Sequence, residues 1–77
     1  MNSEQLKVKI LKENFPENSY SLLTSPKDET LCLQYAKPNW IVFYNERGLQ
    51  TNKKIFQSED HACEYFYHEL SAWFSRD

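Results

Sequence analysis

The chain has one glycine and three prolines in 77 residues. That scarcity excludes a collagen-like repeat, and with 40% apolar residues it argues against a disordered chain. Basic charge is also short. Nine Lys and Arg against 11 Asp and Glu leave a net charge of −2, so no chain-wide positive field draws nucleic acid or anionic lipid. No apolar run approaches transmembrane length, and Met1 to Lys12 mixes Lys and Glu into its apolar positions. The expectation is a cytoplasmic protein without signal peptide or membrane span. Two cysteines, Cys32 and Cys63, fit no zinc spacing and are too few for a disulfide scaffold. Two reduced, half-buried thiols are expected, with a Cys32–Cys63 bridge as the alternative.

Aromatic residues are plentiful: five Phe, five Tyr and two Trp, enough to build one small core for a single domain over residues 1–77. Charge is unevenly placed. Residues 57–77 hold Glu59, Asp60, Glu64, Glu69 and Asp77 against Arg76, or −4, and the rest of the chain therefore comes to +2. A charged partner drawn to the C-terminal segment would be basic.

Ser3 is placed to cap a first helix running to about Asn14, with Leu6, Ile10 and Leu11 on one stripe and Pro16 ending it. Ser19 to Ser25 reads as a short β-like stretch, and Pro26 to Glu29 as a turn. Thr30 to Ala36 alternates, with Leu31, Leu33 and Tyr35 on one side and Thr30, Cys32 and Gln34 on the other. After the turn Lys37-Pro38-Asn39, the run WIVFYNE over residues 40–46 is apolar on both faces, as in a central strand. Arg47-Gly48 supplies a tight hairpin, and Leu49 to Phe56 returns as a weaker edge strand blunted by Lys53 and Lys54. Ser58 caps the last helix, whose first turn carries Glu59 and Asp60 where the helix dipole favours negative charge. There Ala62, Cys63, Phe66, Tyr67, Leu70, Trp73 and Phe74 fall in an arc of about 140° and form the expected core face.

The order predicts an α+β, two-layer sandwich, α-β-β-β-(β)-α, with both helices on one face of an antiparallel sheet. Ile41 and Phe43 then project to one side of the central strand, and Trp40, Val42, Tyr44 and Glu46 to the other. With the helices over the first set, the second forms an open aromatic face suited to binding. The alternative is that residues 1–18 fold over that second set.

Candidate chemistry is sparse. No Ser or Cys nucleophile has a plausible base and there is no Gly-rich phosphate loop, so an enzyme is not expected and no cofactor is implied. His61, Glu64 and His68 share the outer helical face, but two histidines seven residues apart sit about 10 Å from each other along the axis. A metal clamp on a helix needs four. The double-stranded-RNA-binding domain shares the α-β-β-β-α order, yet it holds phosphate with lysines at the start of its last helix. Ser58-Glu59-Asp60 stands there instead, and no direct nucleic-acid binding is expected.

Trp40 with Val42-Phe43-Tyr44, then Glu46-Arg47-Gly48, Phe56, Ser58-Glu59-Asp60, Ala62-Cys63 and Tyr65-Phe66 form a pattern over residues 39–70. This pattern resembles a family of small bacterial immunity proteins encoded beside contact-dependent-inhibition or polymorphic toxins. The resemblance implies a non-enzymatic cytoplasmic protein that binds one toxin domain and blocks its active site or a surface nearby. Many such toxins are nucleases with basic clefts, so a basic partner fits the acidic last helix. The expected partner-binding residues are Asp60, His61, Glu64, Tyr65 and Glu69 on that helix, with Trp40, Tyr44, Glu46 and Arg47. The chain is expected as a monomer or weak homodimer, and a stand-alone regulatory or adaptor domain is the second reading.

Overall fold

The computed structural model describes residues 1–74. Arg76 and Asp77, counted above in the charge of the C-terminal segment, lie outside the described residues. Helix α1 spans Ser3–Lys12, and a 3-10 turn follows at Glu17–Ser19. Strands β1 (Tyr20–Leu22), β2 (Thr30–Ala36), β3 (Asn39–Glu46) and β4 (Leu49–Phe56) lead into helix α2 (Glu59–Phe74). The α+β sandwich is as the sequence predicts, with three adjustments.

The first concerns α1. Its N-cap is Asn2, not Ser3: the Asn2 side chain accepts from the Gln5 amide at 2.8 Å, and the Gln5 side chain accepts from the Asn2 amide at 2.9 Å. This reciprocal box satisfies two amides that a helix start otherwise leaves unpaired. The helix also stops at Lys12, two residues early, where Asn14 turns to φ 60°. Leu6 and Ile10 are fully buried as expected, but Leu11 is 58% exposed. It lies one step (about 100°) past Ile10, beyond the narrow stripe that meets α2.

The second concerns the sheet, which is mixed rather than antiparallel. The strands lie in the order β1-β2-β3-β4, with β2–β3 and β3–β4 antiparallel but β1 parallel to β2, pairing Tyr20 with Leu31 and Leu22 with Leu33. A parallel pair needs a connection long enough to run back along the strand. β1 is only three residues long, so the seven residues Leu23–Glu29 suffice. The loop reverses through positive φ at Leu23 and Glu29. It is tied down at Lys27, whose amide donates to Ser21 Oγ at 3.2 Å and whose carbonyl accepts from Thr30 Oγ1 at 2.7 Å and Asn45 Nδ2 at 2.9 Å.

The third concerns which sheet face the helices cover. The core joins Leu6 and Ile10 of α1, Ala62, Cys63, Phe66 and Leu70 of α2, and Leu31, Leu33 and Val42 of the sheet, with Trp40 packed at its margin. Full burial of each large apolar side chain contributes about 1.5–3 kcal/mol. The helices therefore cover the face of Trp40, Val42 and Tyr44, the reverse of the expected arrangement. β2 decides the matter. The two-residue turn Lys37-Pro38, with a cis peptide between them, pairs Ala36 with Asn39 and hence Leu33 with Val42 and Leu31 with Tyr44. Whichever face takes the leucines takes Val42 and Tyr44 too, because side chains opposite one another share a face. The other face holds Ser21, Thr30, Cys32, Phe43 and Asn45, all buried, with the Leu23–Glu29 loop bonded across its polar members.

The β3–β4 hairpin and the edge strand follow the sequence reading. Arg47 (φ 53°) and Gly48 (φ 82°) both adopt the left-handed geometry of a two-residue hairpin turn. β4 is the sheet edge, interrupted by a bulge in which Asn52 (φ 53°) and Lys53 together face Phe43.

Candidate protein-docking site

The residues singled out by sequence divide into three groups along α2. At its first turn, the Asp60 carboxylate pairs with the Met1 ammonium, and Glu64 Oε2 lies 3.4 Å from the same nitrogen. The hydrogen bond from that ammonium, followed by its charge, holds the Asp60 carboxyl below its usual range; the same bond raises the ammonium's pKa. Glu59 accepts from the Ser3 amide at 2.8 Å. Asp60 and Glu64, both expected to bind a partner, thus have an internal cation to hold: they help fasten the N-terminus to α2. The helix start itself is capped as expected, by Ser58 accepting from the His61 amide at 3.2 Å. His61 and His68 are exposed, and no group among the described residues assembles three metal-ligating side chains.

The second group is an aromatic strip. Tyr35 stacks on Trp40 with ring centroids 4.6 Å apart, Trp40 lies opposite Phe56 in the sheet, and Phe56 packs on Tyr65 at 5.3 Å. Trp40 is half-buried here beside α2 instead of standing on an open face. Tyr35 remains 51% exposed, so the strip reaches the surface at the β2–β3 turn.

The third group is a cleft of about 270 Å³ between α2 and the β3–β4 ribbon, lined by Leu31, Val42, Tyr44, Asn52, Tyr65, Glu69 and Trp73. Trp73, expected in the core, is 42% exposed and meets Tyr44 edge-to-face at 5.3 Å. Burial raises the pKa of both phenols; Glu69 adds to the effect on Tyr65, and Glu29, Glu46 and Asp28 add to it on Tyr44. The cleft therefore has an apolar lining of Leu31 and Val42, aromatic walls and one carboxylate of its own, Glu69, with the charges of Glu29, Glu46 and Asp28 felt at Tyr44. Arg47 stands in the neighbouring turn, where its amide donates to Asp28 Oδ1 at 2.6 Å.

Of the nine predicted site residues, Tyr44, Tyr65 and Glu69 are brought together, with Glu46 beside them and Trp40 joined through Phe56. Asp60 and His61 lie about one helical turn before Tyr65, and Glu64 directly precedes it, about 100° around the helix and off the cleft lining. Sequence reasoning did not single out Asn52 or give Trp73 a role at the surface. An asparagine inside a strand is itself a bulge signal, because Asn tolerates positive φ better than most residues. Compared with protein families, curated proteins and solved structures, the chain matches none.

Proposed function

We propose that the chain is an immunity protein, which binds a toxin domain with a basic surface and neutralises it by occlusion in the cytoplasm of the producing cell. The observation that carries this reading is the aromatic strip and cleft running beside α2 under a fringe of carboxylates. Half-buried Tyr and Trp give large contact area with few rotamers to freeze, and carboxylates steer a basic partner to it. The residues that resemble the immunity family include Trp40, Tyr44, Phe56 and Tyr65, which lie in this strip or its cleft. In this reading the chain works by binding, with no reaction of its own.

The test is co-expression with the toxic C-terminal domain of a large secreted protein encoded next to this chain. Restored growth and a stoichiometric complex on size exclusion are the expected results. Persistent toxicity despite soluble expression of both chains, with no complex, sinks the proposal.

A homodimeric adaptor is the second reading. With the face of Trp40 and Val42 covered by the helices, it rests on the outer edge of β4, where Leu49 and Ile55 are exposed. A dimer that survives dilution in sedimentation, without a neighbouring toxin gene, favours it.

A further inference from the structure

We infer that the cleft between α2 and the β3–β4 ribbon is a receptor for one arginine side chain of the partner, with Glu69 as its counter-charge and Tyr44, Tyr65 and Trp73 as the walls against which the guanidinium stacks. The inference rests on the docking reading above and specifies what the partner must present.

Size is the first argument. At about 270 Å³ the cleft falls at or below the lower bound of about 300 Å³ for pockets that take whole small ligands, and matches a single long side chain. Wall chemistry is the second. Tyr44 and Trp73 stand edge-to-face 5.3 Å apart, so a planar cation entering beside them meets the face of one ring. Acceptors are the third. Glu69, the Asn52 carbonyl oxygen and the two phenols of Tyr44 and Tyr65 supply more acceptors than an ammonium with three donors can use, whereas a guanidinium brings five.

Charge complementarity points the same way. Glu69 lines the cleft, and the charges of Glu29, Glu46 and Asp28 are near enough to act on the Tyr44 phenol. On the strands the basic residues close by are Arg47, in the turn, and Lys54, opposite Val42. Among the described residues neither makes an ion pair, and both side chains are exposed. An apolar side chain would leave the Glu69 carboxylate desolvated and uncompensated, while a cation removes that cost.

The probe is a capped Gly-Arg-Gly peptide titrated into the full chain, followed by amide and indole NMR shifts and by tryptophan fluorescence. Saturable shifts centred on Tyr65, Glu69, Asn52 and the Trp73 indole are expected, with a dissociation constant on the order of 1 mM from one stacked, paired cation. The isosteric but neutral citrulline peptide should bind at least about fivefold more weakly, as should the arginine peptide to Glu69→Gln. Glu64→Gln should bind like wild type. Shifts centred on Asp60 and Glu64, equal binding of the citrulline peptide, or undiminished binding by Glu69→Gln each overturn the inference. Co-expression is an independent readout. A chain that binds the arginine peptide at the cleft yet fails to protect cells loses the immunity reading and keeps the cleft; one that protects cells but binds no arginine peptide loses the cleft alone.

Discussion

Cys32 and Cys63 illustrate how much a single residue's meaning depends on which side of the sheet it faces. Both are free and fully buried. Cys63 belongs to the helix-side core, while Cys32 lies on the opposite face, its Sγ 3.3 Å from Thr30 Oγ1. The sheet stands between them, so the bridge that the sequence leaves open does not form. Burial raises both thiol pKa values, that of Cys63 to about 11 from an ordinary 9.0. The folded protein should therefore label slowly with a thiol reagent at pH 8, and both thiols should react at the rate of free cysteine in denaturant. The same shift sets a pH dependence. Below pH 9.0 both states hold the proton and stability is unaffected. Between 9.0 and about 11 only the unfolded state releases it, so stability should fall as pH rises through that window. Denaturant midpoints measured across this range check the sign; rapid labelling of the native chain at pH 8 would refute the burial of these thiols.

At the scale of elements, periodicity and breakers located both helices and all four strands to within a few residues. The capping detail differs. Asn2 and Ser3 are both good cap residues, and the sequence does not say which one the helix will use. Gln5 settles it, since only Asn2 stands three residues ahead of a glutamine able to reach back. Asn2→Ala should destabilise the chain by about 1 kcal/mol, whereas Ser3→Ala should stay within about 0.5 kcal/mol. Chemical denaturation of the two variants side by side decides this, and an equal loss from both would show that the reciprocal box contributes nothing. The parallel pairing of β1 is a different kind of miss. A three-residue strand carries too few residues to show a period, and its loop is held by the Lys27 bonds to Ser21, Thr30 and Asn45, side-chain contacts that no periodicity shows and of which the last joins residues 18 apart.

Across the whole molecule, the acidic residues act at two separate places. Asp60 and Glu64 are engaged by the N-terminus, while Glu46 and Glu69 flank the cleft. Reversing Glu46 and Glu69 to lysine should slow association with a basic partner about tenfold at low salt, and salt at about 0.5 M should shrink the difference. Reversing Asp60 and Glu64 should slow it less. Stopped-flow association rates for the two double variants test this, and a larger effect from Asp60 and Glu64 would move the docking surface to the start of α2. What the sequence determined by itself is the element order, the core positions of Leu6, Leu31, Leu33 and Leu70, the buried arc of α2 from Ala62 to Leu70 and the edge position of β4, because each is written in local spacing. The buried face of β3 turned on one residue: a turn Lys37-Pro38-Asn39 would put Leu33 opposite Phe43, whereas the two-residue turn of the structure puts it opposite Val42. Only the tertiary structure decided that Trp73 leaves the core to meet Tyr44, that Asn52 bulges into the cleft and that Glu69 rather than Glu64 lines it. Those facts depend on where α2 lies across the sheet, and that placement comes from packing of side chains remote in sequence, which no local pattern encodes.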